Sequence, residues 1–148
     1  MRILIVIPEQ DHASGNWVTA RRFQQGLENL GHHVLLTETG LQGQEALSEQ
    51  IAGYVPDVAL LLHAYRSGKP WLENTRAQDI PAVVMLTGTD VNHGFYDPEQ
   101  TDIIQAVVEQ AVFVILHNPI IASDLSRNRP GMADSLRIIS PGVILCQE

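Results

Sequence analysis

Short apolar runs recur along the chain. Each is followed by a longer stretch whose apolar positions fall three and four residues apart. Ile3 to Ile7 is an unbroken apolar run, which predicts a strand covered on both faces. Pro8 to Gly15 reads as a loop. Asn16 then caps a helix whose apolar positions are Trp17, Ala20, Phe23, Leu27 and Leu30, one face of a 3.6-residue period. Gly31 stands where a left-handed C-terminal cap belongs. His33 to Leu36 predicts a second strand, and Thr39 to Gly43 a loop. Gln44 to Tyr54 predicts a helix with Ala46, Leu47, Ile51 and Ala52 inward. The alternation continues with strand Val58 to Leu62, helix Ser67 to Ala77 and strand Ala82 to Leu86. A helix begins at Pro98 and Glu99, with Ile103, Ile104, Val107, Val108 and Ala111 on one side. Strand Val112 to Leu116, a short helix opened by Asn118 and Pro119, and strand Leu136 to Ile139 complete the pattern. About six strands alternating with about five helices mean βαβ units and a parallel sheet. The expected fold class is α/β, a three-layer Rossmann-like domain with a mainly parallel sheet. The competing arrangement is an α+β fold with an antiparallel sheet.

Length fits one domain over residues 1–148, long enough to bury about two-thirds of the surface its unfolded chain exposes. Nine Lys and Arg against seventeen Asp and Glu give a net charge of −8. That balance argues against nucleic acid as a partner and against broad attraction to an anionic membrane surface. The single cysteine, Cys146, permits no intrachain disulfide, so a cytoplasmic setting is expected. The run Ile3 to Ile7 meets Pro8 and Glu9 without a small-residue cleavage site, unlike a signal peptide. No apolar run approaches the roughly 18 residues of a transmembrane segment.

In an open parallel sheet, ligands bind beyond the carboxyl ends of the strands. The residues placed there are Ser14, Gly15 and Asn16 after the first strand; His63 to Gly68 after the third; Thr87 to Asp90 with His93 after the fourth; and His117 after the fifth. Gly15 and Asn16 can open backbone N–H groups to an anion or a sugar hydroxyl, or serve only as a turn and a cap. Neither the dinucleotide pattern G-x-G-x-x-G nor a P-loop is present, which disfavours NAD or FAD, and no cofactor is expected. His63, His93 and His117 fall near one sheet edge and could hold zinc, but their spacing matches no ligand motif, and no metal is expected. His63 or His93 can act as acid or base, or each can be a satisfied structural histidine. Thr87, Thr89 and Asp90 around Gly88 gather hydroxyls, a carboxylate and open backbone, groups that suit sugars and small phosphorylated acceptors. Asp90 can equally be a turn cap. Arg66 can make a bidentate contact to a phosphate or carboxylate, or a surface ion pair. His12, His32 and His33 read as structural. Ser14 and Ser67 lack a nucleophile elbow, so a hydrolytic triad on either is unsupported.

Met1 to Leu36, with its strand, glycine loop, amphipathic helix and Leu30-Gly31-His32-His33-Val34, resembles the start of the N-terminal domain of GT-B glycosyltransferases of the family-4 type. Pro56-Asp57-Val58, Ile80-Pro81-Ala82-Val83-Val84, Leu86-Thr87-Gly88-Thr89-Asp90 and Arg137-Ile138-Ile139-Ser140-Pro141-Gly142-Val143 follow in the order of that domain. A narrower resemblance, to selenosugar synthases, is carried by Gly15 to Ala20, His63 to Ser67 and Leu86 to Asp90. Those enzymes join a nucleotide sugar to selenophosphate. The resemblance implies an acceptor-side domain. Gly15 and Asn16 would approach the donor phosphate or the transferred sugar. His63, Arg66, Thr87, Gly88, Thr89 and Asp90 would line the cleft, and no divalent metal is required. Two departures stand out. Many family-4 enzymes carry a histidine where this chain has Thr87, so that role is unfilled, or His63 or His93 covers it. The family's nucleotide-sugar donor is held mostly by a second domain, and this sequence stops at Glu148 where that domain would begin. The expectation is that the chain alone is inactive. The alternative function is a non-catalytic binding or assembly module, with Val143-Ile144-Leu145 as an apolar tail and a homo-oligomer as one form of assembly.

Overall fold

A computed structural model describes residues 1–8, 14–40 and 43–140. The expectations for His12, for the segment from Pro141 to Val143, for the tail Val143 to Leu145 and for Cys146 lie outside them. Six strands form one sheet: β1 (Arg2–Pro8), β2 (His33–Thr39), β3 (Val58–Leu62), β4 (Ala82–Met85), β5 (Phe113–Leu116) and β6 (Leu136–Ile138). Their order is β2-β1-β3-β4-β5-β6 and every pairing is parallel. The helices are α1 (Gly15–Asn29), α2 (Gly43–Tyr54), α3 (Gly68–Leu72), α4 (Gly88–Asn92), α5 (Thr101–Gln110) and α6 (Pro119–Asn128). This is the expected α/β Rossmann-like fold.

Strand periodicity divides the core in two. Leu4, Val6, Ala59, Leu61, Val84, Val114 and Leu116 face one side, where α2, α3, α5 and α6 pack through Leu47, Ile51, Trp71, Ile104, Val107 and Leu125. Ile3, Ile5, Ile7, Leu60, Leu62, Met85 and Ile115 face the other. There α1 lays down Trp17, Ala20, Phe23 and Leu27. Alternate residues point to opposite faces of a strand, so a run apolar at every position is what two covered faces require.

Several boundaries differ from the sequence reading, each for a local reason. Ser14, not Asn16, caps α1, its Oγ accepting the Trp17 N–H at 3.3 Å. Leu30 is not on the buried face; it closes the helix and is 75% exposed. Gly31 takes φ +85°, the left-handed conformation expected of it. Ala52 is exposed, since Leu47 and Ile51 already fill the α2 contact. The stretch Ser67 to Ala77 is not one helix. It breaks after Leu72 and resumes as a 3-10 turn at Thr75–Ala77, where the Asn74 side chain captures the Arg76 N–H. Pro98 and Glu99 do not begin α5. The Asp97 side chain accepts the Glu99 N–H at 2.9 Å, an Asx turn that delays the helix to Thr101. Asn118 caps α6 as expected, accepting the Ile120 N–H, with Pro119 at the first turn.

The strand order reverses between β1 and β3, because the chain leaves β1 toward β2 and returns to build β3 to β6 on the other side. A crevice outside the carboxyl ends of the strands at such a point is where open α/β sheets bind ligands. The residue that follows β3 there is His63.

Candidate functional site

His63 is 4% exposed and has φ +83°. An L-residue in that conformation costs about 1–2 kcal/mol. Such strain persists only where surrounding contacts impose it. Here the His63 carbonyl accepts the N–H groups of Ser67 at 3.1 Å and Gly68 at 3.3 Å. Ser67 is fully buried and donates its hydroxyl to the Leu62 carbonyl at 2.6 Å. The turn thus folds back on the end of β3 and points the ring toward α4.

The α4 helix was not foreseen; Thr87 to Asp90 reads as a loop because the helix is so short. Its signal is nevertheless in the sequence. Thr87 and Asp90 have the spacing of a capping box, and the structure forms that box. Asp90 is 0% exposed. Its Oδ2 accepts the Ala64 N–H at 3.1 Å, the Thr87 N–H at 3.0 Å and the Thr87 hydroxyl at 3.3 Å. One carboxylate oxygen therefore ties the end of β3 to the start of α4.

The other oxygen lies beside the histidine. His63 Nδ1 accepts the Arg66 N–H at 3.1 Å and stands 2.8 Å from Asp90 Oδ1, which is buried and makes no hydrogen bond. Leaving such an atom unmatched costs about 1–3 kcal/mol, and more when it is charged. His63 Nε2 and Thr89 Oγ1 are 3.0 Å apart, within hydrogen-bond distance, and Thr87 Oγ1 lies 3.3 Å further along. The arrangement sets a buried carboxylate against an imidazole whose second nitrogen meets an exposed hydroxyl, a pair able to hold or move a proton.

Of the residues singled out from the sequence, the structure brings His63, Thr87, Gly88, Thr89 and Asp90 together. Arg66 joins through its backbone, and its side chain is exposed. His93 ends α4, exposed, and meets this cluster only through its backbone N–H, which donates to the Thr89 carbonyl at 3.0 Å. His117 Nδ1 lies 2.6 Å from the Ile139 carbonyl, a contact that ties β5 to the end of β6. Gly15 and half-buried Asn16 open α1 after β1. One contributor was missed. Thr39 Oγ1 sits within hydrogen-bond reach of the Ile7 carbonyl at 3.2 Å and the Arg66 carbonyl at 3.1 Å. It joins the ends of β1 and β2 to the His63 turn, and a threonine ending an apolar strand carries no signal of that role. Among the described residues no group of three or more His, Cys, Asp or Glu side chains is placed to hold a metal ion.

Neither glycine in the site is there for its own backbone. A Cβ at Gly15 would meet nothing within 4 Å, and one at Gly88 would meet only Asn92 Nδ2 at 3.8 Å. Gly15→Ala and Gly88→Ala are expected to leave stability unchanged or to raise it by up to about 1 kcal/mol, since alanine favours a helical position. Calorimetry on the two variants checks this. A lower melting temperature in either would mean that the glycine serves the fold, and its proposed contact with a ligand would lose its rationale.

No family model matches the sequence. A curated relative, glycosyltransferase 1 domain-containing protein 1 of Xenopus tropicalis, is 28% identical over 115 residues. The match takes in 78% of this chain and 32% of the relative, so the chain spans about a third of that protein's length. Among solved structures, the UDP-GlcNAc 2-epimerase of Methanocaldococcus jannaschii superposes with a TM-score of 0.66 at 10% identity, over 94% of this chain and 45% of the other. S. aureus MnaA, in a structure with UDP, gives 0.61 at 12% identity over 93% and 43%. The Neisseria meningitidis UDP-GlcNAc 2-epimerase bound to UDP-GlcNAc gives 0.61 at 13% identity over 93% and 45%. The chain is therefore homologous to part of a glycosyltransferase 1 domain-containing protein, and it shares the α/β fold of one half of the UDP-GlcNAc 2-epimerases.

Proposed function

We propose that this chain is the acceptor-side domain of a glycosyltransferase. It holds a small acceptor at the carboxyl edge of the sheet while a nucleotide sugar, bound mainly by a second domain, donates the sugar. The observation that carries this reading is the buried His63–Asp90 pair at the strand-order reversal, with Nε2 against the hydroxyl of exposed Thr89. Homology to a glycosyltransferase domain and structural neighbours that hold UDP or UDP-GlcNAc support the donor class. In the proposed role, His63 contacts the acceptor, Asp90 holds the ring, and Thr87, Gly88 and Thr89 line the acceptor's approach. Gly15 and Asn16 face the donor side. Within the narrower resemblance to selenosugar synthases the acceptor is an anion, and Arg66, exposed after β3, is the residue that would meet it. No helix among the described residues is long and apolar enough to cross a membrane.

The test is a backbone-amide NMR titration of the chain with a panel of sugars, polyols, amino acids and phosphate, alongside a sugar-transfer assay with UDP-GlcNAc. Shifts are expected at residues 63–67 and 87–90, with no transfer by the chain alone. Shifts that cluster away from the carboxyl edge of the sheet would overturn the reading.

A second reading, an assembly module, has one observation in its favour. Among the described residues β6 is an edge strand; Ile138 in it and Ile139 after it stand exposed, as does Ile120 at the start of α6. An open edge with apolar side chains is a template for association. Light scattering separates the two: a concentration-independent monomer removes the assembly reading, and a tight dimer that shields the His63 edge from hydrogen exchange favours it.

A further inference from the structure

A groove of about 420 Å³ lies between α5 and the segment that joins α6 to β6, a volume within the roughly 300–1,000 Å³ of small-molecule sites. None of its residues belongs to the His63 cluster. Val108, Ala111 and Met132 give it an apolar floor, and Glu109 and Arg129 bring opposite charges to it. The Arg129 side chain is half-buried and held in place. Its Cζ stands 4.6 Å from the centre of the buried Phe95 ring, and one guanidinium N–H donates to Gln105 Oε1. Arginine has five such donors in a fixed fork. Among the described residues the others meet no protein acceptor, and no carboxylate pairs with Arg129. Glu109 lines the same groove without closing on it. Gln105 stands between the two charges: its Nε2 donates to Glu109 Oε1 at 2.6 Å, and its Oε1 accepts from Arg129. One side-chain amide thus spaces a carboxylate from a guanidinium beside an apolar floor.

We infer that this groove binds a free apolar α-amino acid as its zwitterion. The ligand carboxylate takes the open edge of the Arg129 fork, where a planar acid can accept two parallel N–H groups. The ligand ammonium faces Glu109, and the apolar side chain lies against Val108, Ala111 and Met132. Charge complementarity selects this occupant. A half-buried cation without an anion has given up hydration that a carboxylate restores. A ligand that is only an anion would answer Arg129 and be repelled by Glu109. A ligand that is only a cation would answer Glu109 and be repelled by Arg129. An α-amino acid carries both charges on one carbon, with the opposite signs in the order the groove presents them, and its side chain uses the floor between them.

The experiment titrates the whole chain with three probes of one carbon skeleton at matched ionic strength: leucine, isocaproate, which lacks the ammonium, and isoamylamine, which lacks the carboxylate. Isothermal titration calorimetry gives the affinities, and backbone-amide NMR gives the place. Leucine is expected to bind about tenfold tighter than either analogue, the worth of one charged hydrogen bond, with shifts at residues 105–109 and 129–135. Glu109→Gln, at an exposed position, should abolish the advantage of leucine over isocaproate. Arg129→Lys keeps the charge and loses the fork, and should weaken leucine and isocaproate together. Equal binding of leucine and either analogue overturns the inference. So does a leucine response confined to residues 63–67 and 87–90, and so does no binding of leucine at millimolar concentration. Leucine reports on this groove, while sugars, polyols and phosphate report on the carboxyl edge, so either site can fail while the other stands.

Discussion

Asp90→Ala is expected to lower the stability of the fold by about 2–4 kcal/mol, while Asp90→Asn costs no more than about 1 kcal/mol. The difference follows from the separate duties of the two oxygens. Alanine strands the Ala64 and Thr87 N–H groups that Oδ2 accepts. A buried donor left without an acceptor costs about 1–3 kcal/mol, and loss of a helix cap costs about 1 kcal/mol more. Asparagine keeps one oxygen for those donors. What it changes is the other side. An amide N–H₂ now faces His63 Nδ1, which already accepts the Arg66 N–H, and replaces an oxygen that makes no hydrogen bond. Urea unfolding gives the stabilities. Equal losses in the two variants would mean that the carboxylate charge, not the cap, holds the site together.

Gly68→Ala is expected to destabilise the chain by about 1–3 kcal/mol, the usual cost of overpacking a well-filled core. A Cβ at Gly68 would stand 2.6 Å from Val107 Cγ1 and 2.9 Å from Cγ2. Val107 is buried and β-branched, so it has one strongly preferred side-chain rotamer on a helix and cannot swing aside cheaply. The helix-propensity gain of alanine, about 1 kcal/mol, recovers part of the loss. The clash falls between α3 and α5, and its consequence reaches the site. α3 begins directly after the His63 turn, whose carbonyl is held by the N–H groups of Ser67 and Gly68. Pushing α3 outward therefore disturbs the ring. The check is a double-mutant cycle with Val107→Ala, which vacates the space the new methyl needs. The double variant should be more stable than the sum of the singles by about 1 kcal/mol, and the His63 resonances should return toward their original positions. Simple additivity would show that the two positions do not meet.

The fold was legible because its signal is periodic and repeated. The buried runs at β1, β3, β4 and β5 read directly as strands covered on both faces, and the apolar positions of α1 and α5 read as helix faces. What failed was local. Asn74 and Asp97 divert the backbone with their own side chains, which hydrophobic periodicity does not register. α4 is too short to show a period at all, although the capping pair Thr87 and Asp90 marks it. In the site, position at a strand end picked out His63, Thr87, Thr89 and Asp90. It could not tell that these share one hydrogen-bond chain, because that depends on the left-handed turn at His63. It also assigned His117 to the ligand side, where the structure turns it to the Ile139 carbonyl. Strand-end placement names the edge, and only geometry shows which residues point at one another.

The left-handed backbone at His63 carries a consequence for the history of this domain. Histidine stands there in a conformation that glycine adopts without strain, and the contacts of its ring are what the exchange would lose. In a descendant that no longer needs those contacts, His63→Gly relieves about 1–2 kcal/mol of backbone strain. It also leaves the buried Oδ1 of Asp90 facing nothing, so selection would next act on position 90. The two positions should be lost in sequence, 63 before 90. A relative with glycine at the first and no acid at the second would be one that has kept the scaffold and given up the reaction.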